Sequence, residues 1–197
     1  MCWNWQVSLT AWGIGLGSAI YLFHRNNKND IVFGSLILAY SSMQLWEAFM
    51  WWSQNCGKLN KIATYAAYFA LWSHVLAIGI GLYIEQKVAL PLVIGVGFMI
   101  YAIVDAFFIH WKCSKPTMNS CKHLKWGFPT KFYSIVFIVC MATALVYVRP
   151  LWKAFVVLGL FISTFVMSAI YNKDGTGSLW CWIAATFSFA FIFINVK

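Results

Sequence analysis

The chain has 197 residues, 62% of them hydrophobic and 10% charged, with a mean hydropathy of +0.73, against about 45–50% apolar and about 25% charged in an ordinary soluble domain. A bilayer core of about 30 Å takes about 20 apolar residues per helical crossing, so the chain has room for several crossings and none for a soluble domain beside them. The net charge of +9 does not imply nucleic acid: Lys and Arg fall in the gaps between apolar runs, no basic stripe follows a helix, and lipid headgroups and topology account for the charge.

Seven apolar runs lie at 7–23, 31–52, 62–84, 88–111, 132–148, 151–171 and 179–195, none with the alternation of a strand. Backbone groups in lipid must bond within their own segment. The predicted fold is therefore an all-α membrane protein, one domain built as a bundle of about seven transmembrane helices. The opening MCWNWQ has no basic residue before the first run and no small-residue cleavage site follows it, which predicts an uncleaved first helix. Within that helix, Gly13-x-x-x-Gly17 is a close-packing signal.

The second run contains SSMQLWEAFMWW, with a carboxylate inside a segment that otherwise belongs in oil. Ser41, Gln44, Glu47, Ala48 and Trp51 fall within about 120° of one another at about 100° per residue, one polar stripe on one helix face. An ionised carboxylate facing hydrocarbon costs at least about 2.5 kcal/mol, so Glu47 is expected to face protein or a wet cavity, about 7–8 Å from the helix end beyond Trp52. In the third run Tyr65 and Tyr68 enter from that same end. His74 sits mid-membrane beside Ser73, where an imidazole bonds a backbone carbonyl or hydroxyl, or relays protons. Pro91 with Gly95 and Gly97 predicts a bend in the fourth run. Asp105 lies near its far end, either a second carboxylate beside Glu47 or a partner for Lys112. The long loop KCSKPTMNSCKHLKWGFPTK then brings His123, Lys125 and Trp126. Arg149-Pro150 predicts a helix stop and restart, and Trp180 and Trp182 open the last run. Gathered around Glu47, these rings would form a cage for a cation or small polar solute; as an interfacial belt they need no ligand.

With seven crossings, Met1 shares a face with the loops near 53–61, 112–131 and 172–178. Eight of the fourteen Lys and Arg fall on that face and six on the other, too even a division to orient the protein. Cys2, Cys56, Cys113 and Cys121 all gather on the Met1 face. Disulfides persist in oxidising compartments, which makes the N-terminus and the 112–131 loop luminal or extracellular. Four cysteines allow three pairings; Cys113 with Cys121 closes the shortest loop, and reduced thiols are the alternative. The C-x7-C-x-H spacing of Cys113, Cys121 and His123 matches no zinc signature. No cofactor is implied.

Three stretches, MQLWEAFMWWSQNCGKLN, HLKWGF at 123–128 and GSLWCW at 177–182, resemble an uncharacterised family of small polytopic membrane proteins encoded by giant DNA viruses of protists. The resemblance covers nearly the whole chain and implies a bundle of about seven helices in a host or virion membrane. It carries no activity. It points to Gln44, Glu47, Trp51, Cys56, Asn60, His123, Trp126, Trp180, Cys181 and Trp182 as the positions where the family's role resides.

Three function classes follow. The first is a binding, structural or receptor-like seven-helix module with a polar, aromatic-lined pocket formed by Gln44, Glu47, Trp51, Tyr65, Tyr68, His123, Trp126 and Trp182. The second is a small channel or transporter for a proton, cation or polar solute along Gln44, Glu47, His74 and Asp105. The third is a membrane-embedded hydrolase using Ser73, His74, Asp105, His110 and His123, which lacks H-x-x-x-H, G-x-S-x-G and H-E-x-x-H spacing. Retinal binding of the microbial type is excluded by the absence of lysine in the last run before Lys197. The partners expected are the lipid bilayer and a small polar or cationic ligand, with no nucleic acid; the sequence leaves the oligomeric state open.

Overall fold

Asn4 opens the first helix by accepting a hydrogen bond from the Val7 N–H at 3.0 Å, satisfying one of the four donors that a helix start leaves bare. From there α1 runs Trp5–Arg25, α2 Asp30–Trp52, α3 Lys58–Gln86, α4 Leu90–Ala106, α5 Lys131–Leu145, α6 Leu151–Tyr171 and α7 Thr176–Thr186; a 3-10 turn, Phe187–Phe189, and a short α8, Ala190–Ile194, complete the chain order. This computed structural model describes residues 4–117, 123–128, 131–171 and 175–194. Among them the fold is all-α apart from a two-residue antiparallel ladder, β1 Lys115–Pro116 on β2 Leu124–Lys125, in the register Lys115↔Lys125.

Each expected apolar run carries helix, but the lengths do not by themselves make seven spans. Three helices, α1, α3 and α6, are long and apolar enough to cross a membrane. α2 has the length, 23 residues, while Ser41, Ser42, Gln44 and Glu47 dilute its hydropathy. α4, with 17 residues, and α7, with 11, are shorter. Large apolar side chains such as Val93, Ile100, Phe155, Met167 and Ile170 are exposed along α4 and α6, an apolar perimeter of a size that marks contact with lipid or protein.

α2 is the central helix, packed against α1, α3 and α7. Val32, Phe33, Leu36, Ile37, Met43 and Met50 are fully buried along it. Because α2 runs opposite to α1 and α3, two ends are defined: the Trp52 end holds Trp5, Lys58 and Thr176, and the Arg25 end holds Asp30, Gln86 and Arg149.

Four sequence expectations are corrected. The fourth run ends at Ala106 rather than 111, because Phe107 and Phe108 donate to Val104 and Asp105 in a tightening turn and Trp111 Nε1 donates to the freed Ala106 carbonyl. Pro91 lies in the first turn of α4, where its missing N–H removes no intrahelical bond and gives no cause for a bend; Gly95 instead presses against the backbone of Leu76 on α3. Gly13 and Gly17 face open space, and the close approach of α1 to α2 is made by Gly15 against Ser41. The last run breaks at the 3-10 turn, where Ser188 donates to Ser18 of α1 at 3.2 Å.

Candidate functional site

Glu47 is fully buried and its carboxylate joins three segments of the chain. Oε1 accepts from Trp126 Nε1 at 2.9 Å. Oε2 accepts from Gln44 Nε2 at 3.0 Å and from Ser178 Oγ at 3.1 Å. Gln44 lies one turn earlier on the same face of α2, as the 3.6-residue period requires. Trp126 comes from the loop after α4, and Ser178 from the first turn of α7. Such a carboxylate is kept in an apolar bundle by its donors.

The approach of loop to helix depends on two glycines. A Cβ at Gly177 would lie 2.5 Å from the Trp126 ring, and one at Gly127 would lie 1.9 Å from the Lys112 carbonyl oxygen. Lys112 N–H donates to that same Gly127 carbonyl at 2.8 Å. Around it, Asn60 of α3 donates to the Ser114 carbonyl at 3.0 Å and accepts from the Ser114 N–H at 3.1 Å, while Ser114 Oγ accepts from Gly127 N–H at 2.9 Å and shares a proton with Thr64 Oγ1 at 2.8 Å. Cys56 and Cys113 form a disulfide across the same joint, with Cα atoms 5.5 Å apart. Of the cysteine pairings left open by the sequence, this one unites the α2–α3 turn with the loop. Cys2 and Cys121 lie outside the described residues.

Gln44, Glu47 and Trp126 are thus brought into one cluster. Trp51 is buried one turn beyond Glu47. Tyr68 donates to Asp105 Oδ2 at 2.6 Å, so Asp105 is satisfied from α3 and not shared with Glu47. Tyr65 is exposed, its ring 4.1 Å from that of Trp111. Trp111 meets Tyr68 at 5.3 Å and Phe128 at 6.3 Å, and Phe128 stacks on Trp126 at 5.3 Å. The rings form a packed series of tilted, edge-to-face and stacked contacts, with Glu47 enclosed, rather than an open box. His123 is buried in the loop, where Thr117 N–H donates to its carbonyl at 2.7 Å and its own N–H donates to Thr117 Oγ1 at 3.1 Å; burial lowers its imidazole pKa. Trp182 is half-buried against the core. Trp180 points elsewhere, donating to Thr164 Oγ1 at 3.1 Å among Phe137, Phe161 and Phe165.

His74 sits in the middle of α3, its Nδ1 at 2.8 and 2.7 Å from the carbonyls of Ala70 and Leu71. Ser73 bonds Ala70 at 2.7 Å and His110 is exposed, so the hydrolase set is not assembled. Among the described residues no three His, Cys, Asp or Glu side chains are grouped to hold a metal ion.

Sequence reasoning missed the opposite end. Asp30 is fully buried and takes a two-pronged bond from Arg25, at 2.8 Å to Nε and 2.7 Å to Nη2, plus the Asn27 N–H at 2.7 Å. Arg25 Nη1 also donates to the Ile192 carbonyl at 2.8 Å. Asn29 donates to the Arg149 carbonyl at 2.8 Å, accepts from Gln86 at 3.0 Å and bonds Glu85 through its N–H. The signal was present in HRNNKND, whose Arg and Asp lie five apart across a turn. It also missed Ser178, which sits inside GSLWCW between better-marked tryptophans. Compared with known protein families, curated proteins and solved structures, the chain matches none.

Proposed function

We propose that the chain is an integral membrane protein whose seven main helices cross or enter the bilayer, the shorter α4, α5 and α7 completing the three long spans, and that it acts as a structural or binding module rather than a catalyst. The observation that carries this reading is the Glu47 clamp: a carboxylate whose oxygens are engaged by α2, the loop and α7 at once holds a shape and leaves little room for passing cargo. The Trp52 end then presents a stapled cap, residues 109–117 and 123–128, and the Cys56–Cys113 disulfide supports a luminal or extracellular position for that face. The resemblance to membrane proteins of giant DNA viruses supports a virion or host-membrane location. The test is reconstitution in liposomes with pH- and cation-sensitive dyes. Wild type and Glu47→Gln are expected to leak no faster than empty vesicles; flux in the wild type that Glu47→Gln abolishes would make the protein a carrier.

A further inference from the structure

Four buried polar atoms on α2 and α3 have no hydrogen-bond partner among the described residues: the hydroxyl of Tyr40, Oε1 of Gln44, Nε1 of Trp51 and Nε2 of His74. All four residues are at most 7% exposed. Buried polar atoms are rarely left unpaired, and three of these four belong to one face of α2. Tyr40, Gln44, Glu47 and Trp51 fall within about 60° of one another at about 100° per residue, a line on α2 with a rise of about 16 Å. His74 meets the line from α3, its ring 6.2 Å from that of Tyr40 and tilted by 25°.

The hydrogen-bonding senses are complementary. Carbonyls accept only, so the contacts of His74 Nδ1 with Ala70 and Leu71 put the ring proton on Nδ1 and leave a lone pair on Nε2. Gln44 Nε2 is committed to Glu47, which turns Oε1 outward as an acceptor. Trp51 donates, and Tyr40 does both. Acceptors and donors set along a seam between two helices match a small molecule that donates and accepts, and water makes two to four such bonds in protein interiors.

We propose that the seam between α2 and α3 binds a file of internal water, joining Trp51 and Glu47 near the Trp52 end to Tyr40 and His74 at mid-bundle. The file ends there. Phe33, Leu36 and Ile37 of α2 with Ile78 and Leu82 of α3 are fully buried and apolar beyond it, so solvent and protons enter from one face only and the seam does not conduct. The inference rests on the membrane-embedded reading above.

The experiment is proton-detected solid-state NMR of the full chain in lipid bilayers, with 15N-labelled Trp and His, 13C-methyl-labelled Leu and magnetisation transferred from water. Water cross-peaks are expected at the Trp51 indole and the His74 imidazole and none at the Leu36 methyls. Tyr40→Phe, which removes one anchor of the file, is expected to lower the His74 cross-peak at least twofold and to lower Tm. Absence of both cross-peaks in the wild type overturns the proposal, as does a Tyr40→Phe protein with raised Tm, because deleting a dry, unpaired hydroxyl stabilises. A protein washed from vesicles by alkaline carbonate fails the membrane reading itself; one that stays inserted with a dry seam fails only this inference.

Discussion

At the Trp52 end, one carboxylate gathers three uncharged donors and the loop that supplies one of them is tied down by the Cys56–Cys113 disulfide. At the Arg25 end, a carboxylate of similar burial is held by a guanidinium and by the Asn27 N–H, while Arg25 and Asn29 donate to the Ile192 and Arg149 carbonyls. Both solve the same problem, that the connections of a helical bundle leave polar groups at the edge of an apolar interior. The difference lies in what undoes them. The charge pair fails when Arg25 is removed, because Asp30 stays buried, whereas the stapled cap fails in pieces, by reduction or by loss of a donor.

The sharpest contrast is expected from Arg25→Ala. It strands the fully buried Asp30 and should cost about 3–5 kcal/mol in unfolding from detergent micelles, the usual penalty for breaking a buried pair; a loss under about 1 kcal/mol would show that the pair contributes little. Next comes Glu47→Leu, which leaves the donors of Trp126, Gln44 and Ser178 buried without an acceptor, at about 1 kcal/mol or more each and about 3 kcal/mol together. Its local signature is faster amide exchange at Lys112 and Ser114 with Asn27 and Asp30 unchanged; equal loosening at both ends would deny that they are independent.

A smaller effect, about 2 kcal/mol, is expected when Cys56 and Cys113 are both changed to Ala. That is the lower part of the range for a disulfide, because helices already inserted in lipid leave less chain entropy for a cross-link to remove. Thiol-reactive probes should fail to label either cysteine until reductant is added, and labelling of unreduced protein would remove the staple from the account. The smallest effect is acid loosening of the cap through His123. Burial disfavours its charged form and lowers its pKa from the ordinary 6.5. The unfolded loop therefore binds the proton more readily, so the stabilisation is complete above about pH 6.5 and is lost as pH falls through the lowered value. Protection factors at Thr117 and His123 should drop between pH 7.5 and 5 in the wild type and stay level in His123→Phe.

How much of this was legible depended on whether a signal was periodic. Glu47 was marked by spacing: with Gln44 and Trp51 on its face, it had to turn inward. Its partners were not, since Trp126 and Ser178 lie 79 and 131 residues away in sequence and no period links them. The helix of Gly13 and Gly17 shows the same limit. A four-residue spacing names a face, but Gly15 on another face was the one facing Ser41, and choosing between them needs the neighbouring helix. Asp30 and Arg25 read as loop punctuation because charges between apolar runs usually are solvated; their burial follows from Asn29, Arg149 and Ile192 converging on one spot. The apolar run to residue 111 overstated α4 because Ile109 and Trp111 are apolar for the loop's packing and not for the helix.

The central claim is that the Glu47–Trp126 bond is one of the ties between cap and bundle, beside the Cys56–Cys113 disulfide. A double-mutant cycle of Glu47→Gln and Trp126→Phe, read by reversible unfolding in micelles, measures it directly. The account predicts a coupling of about 1 kcal/mol or more, as contacting buried partners give; additivity within about 0.3 kcal/mol would contradict it.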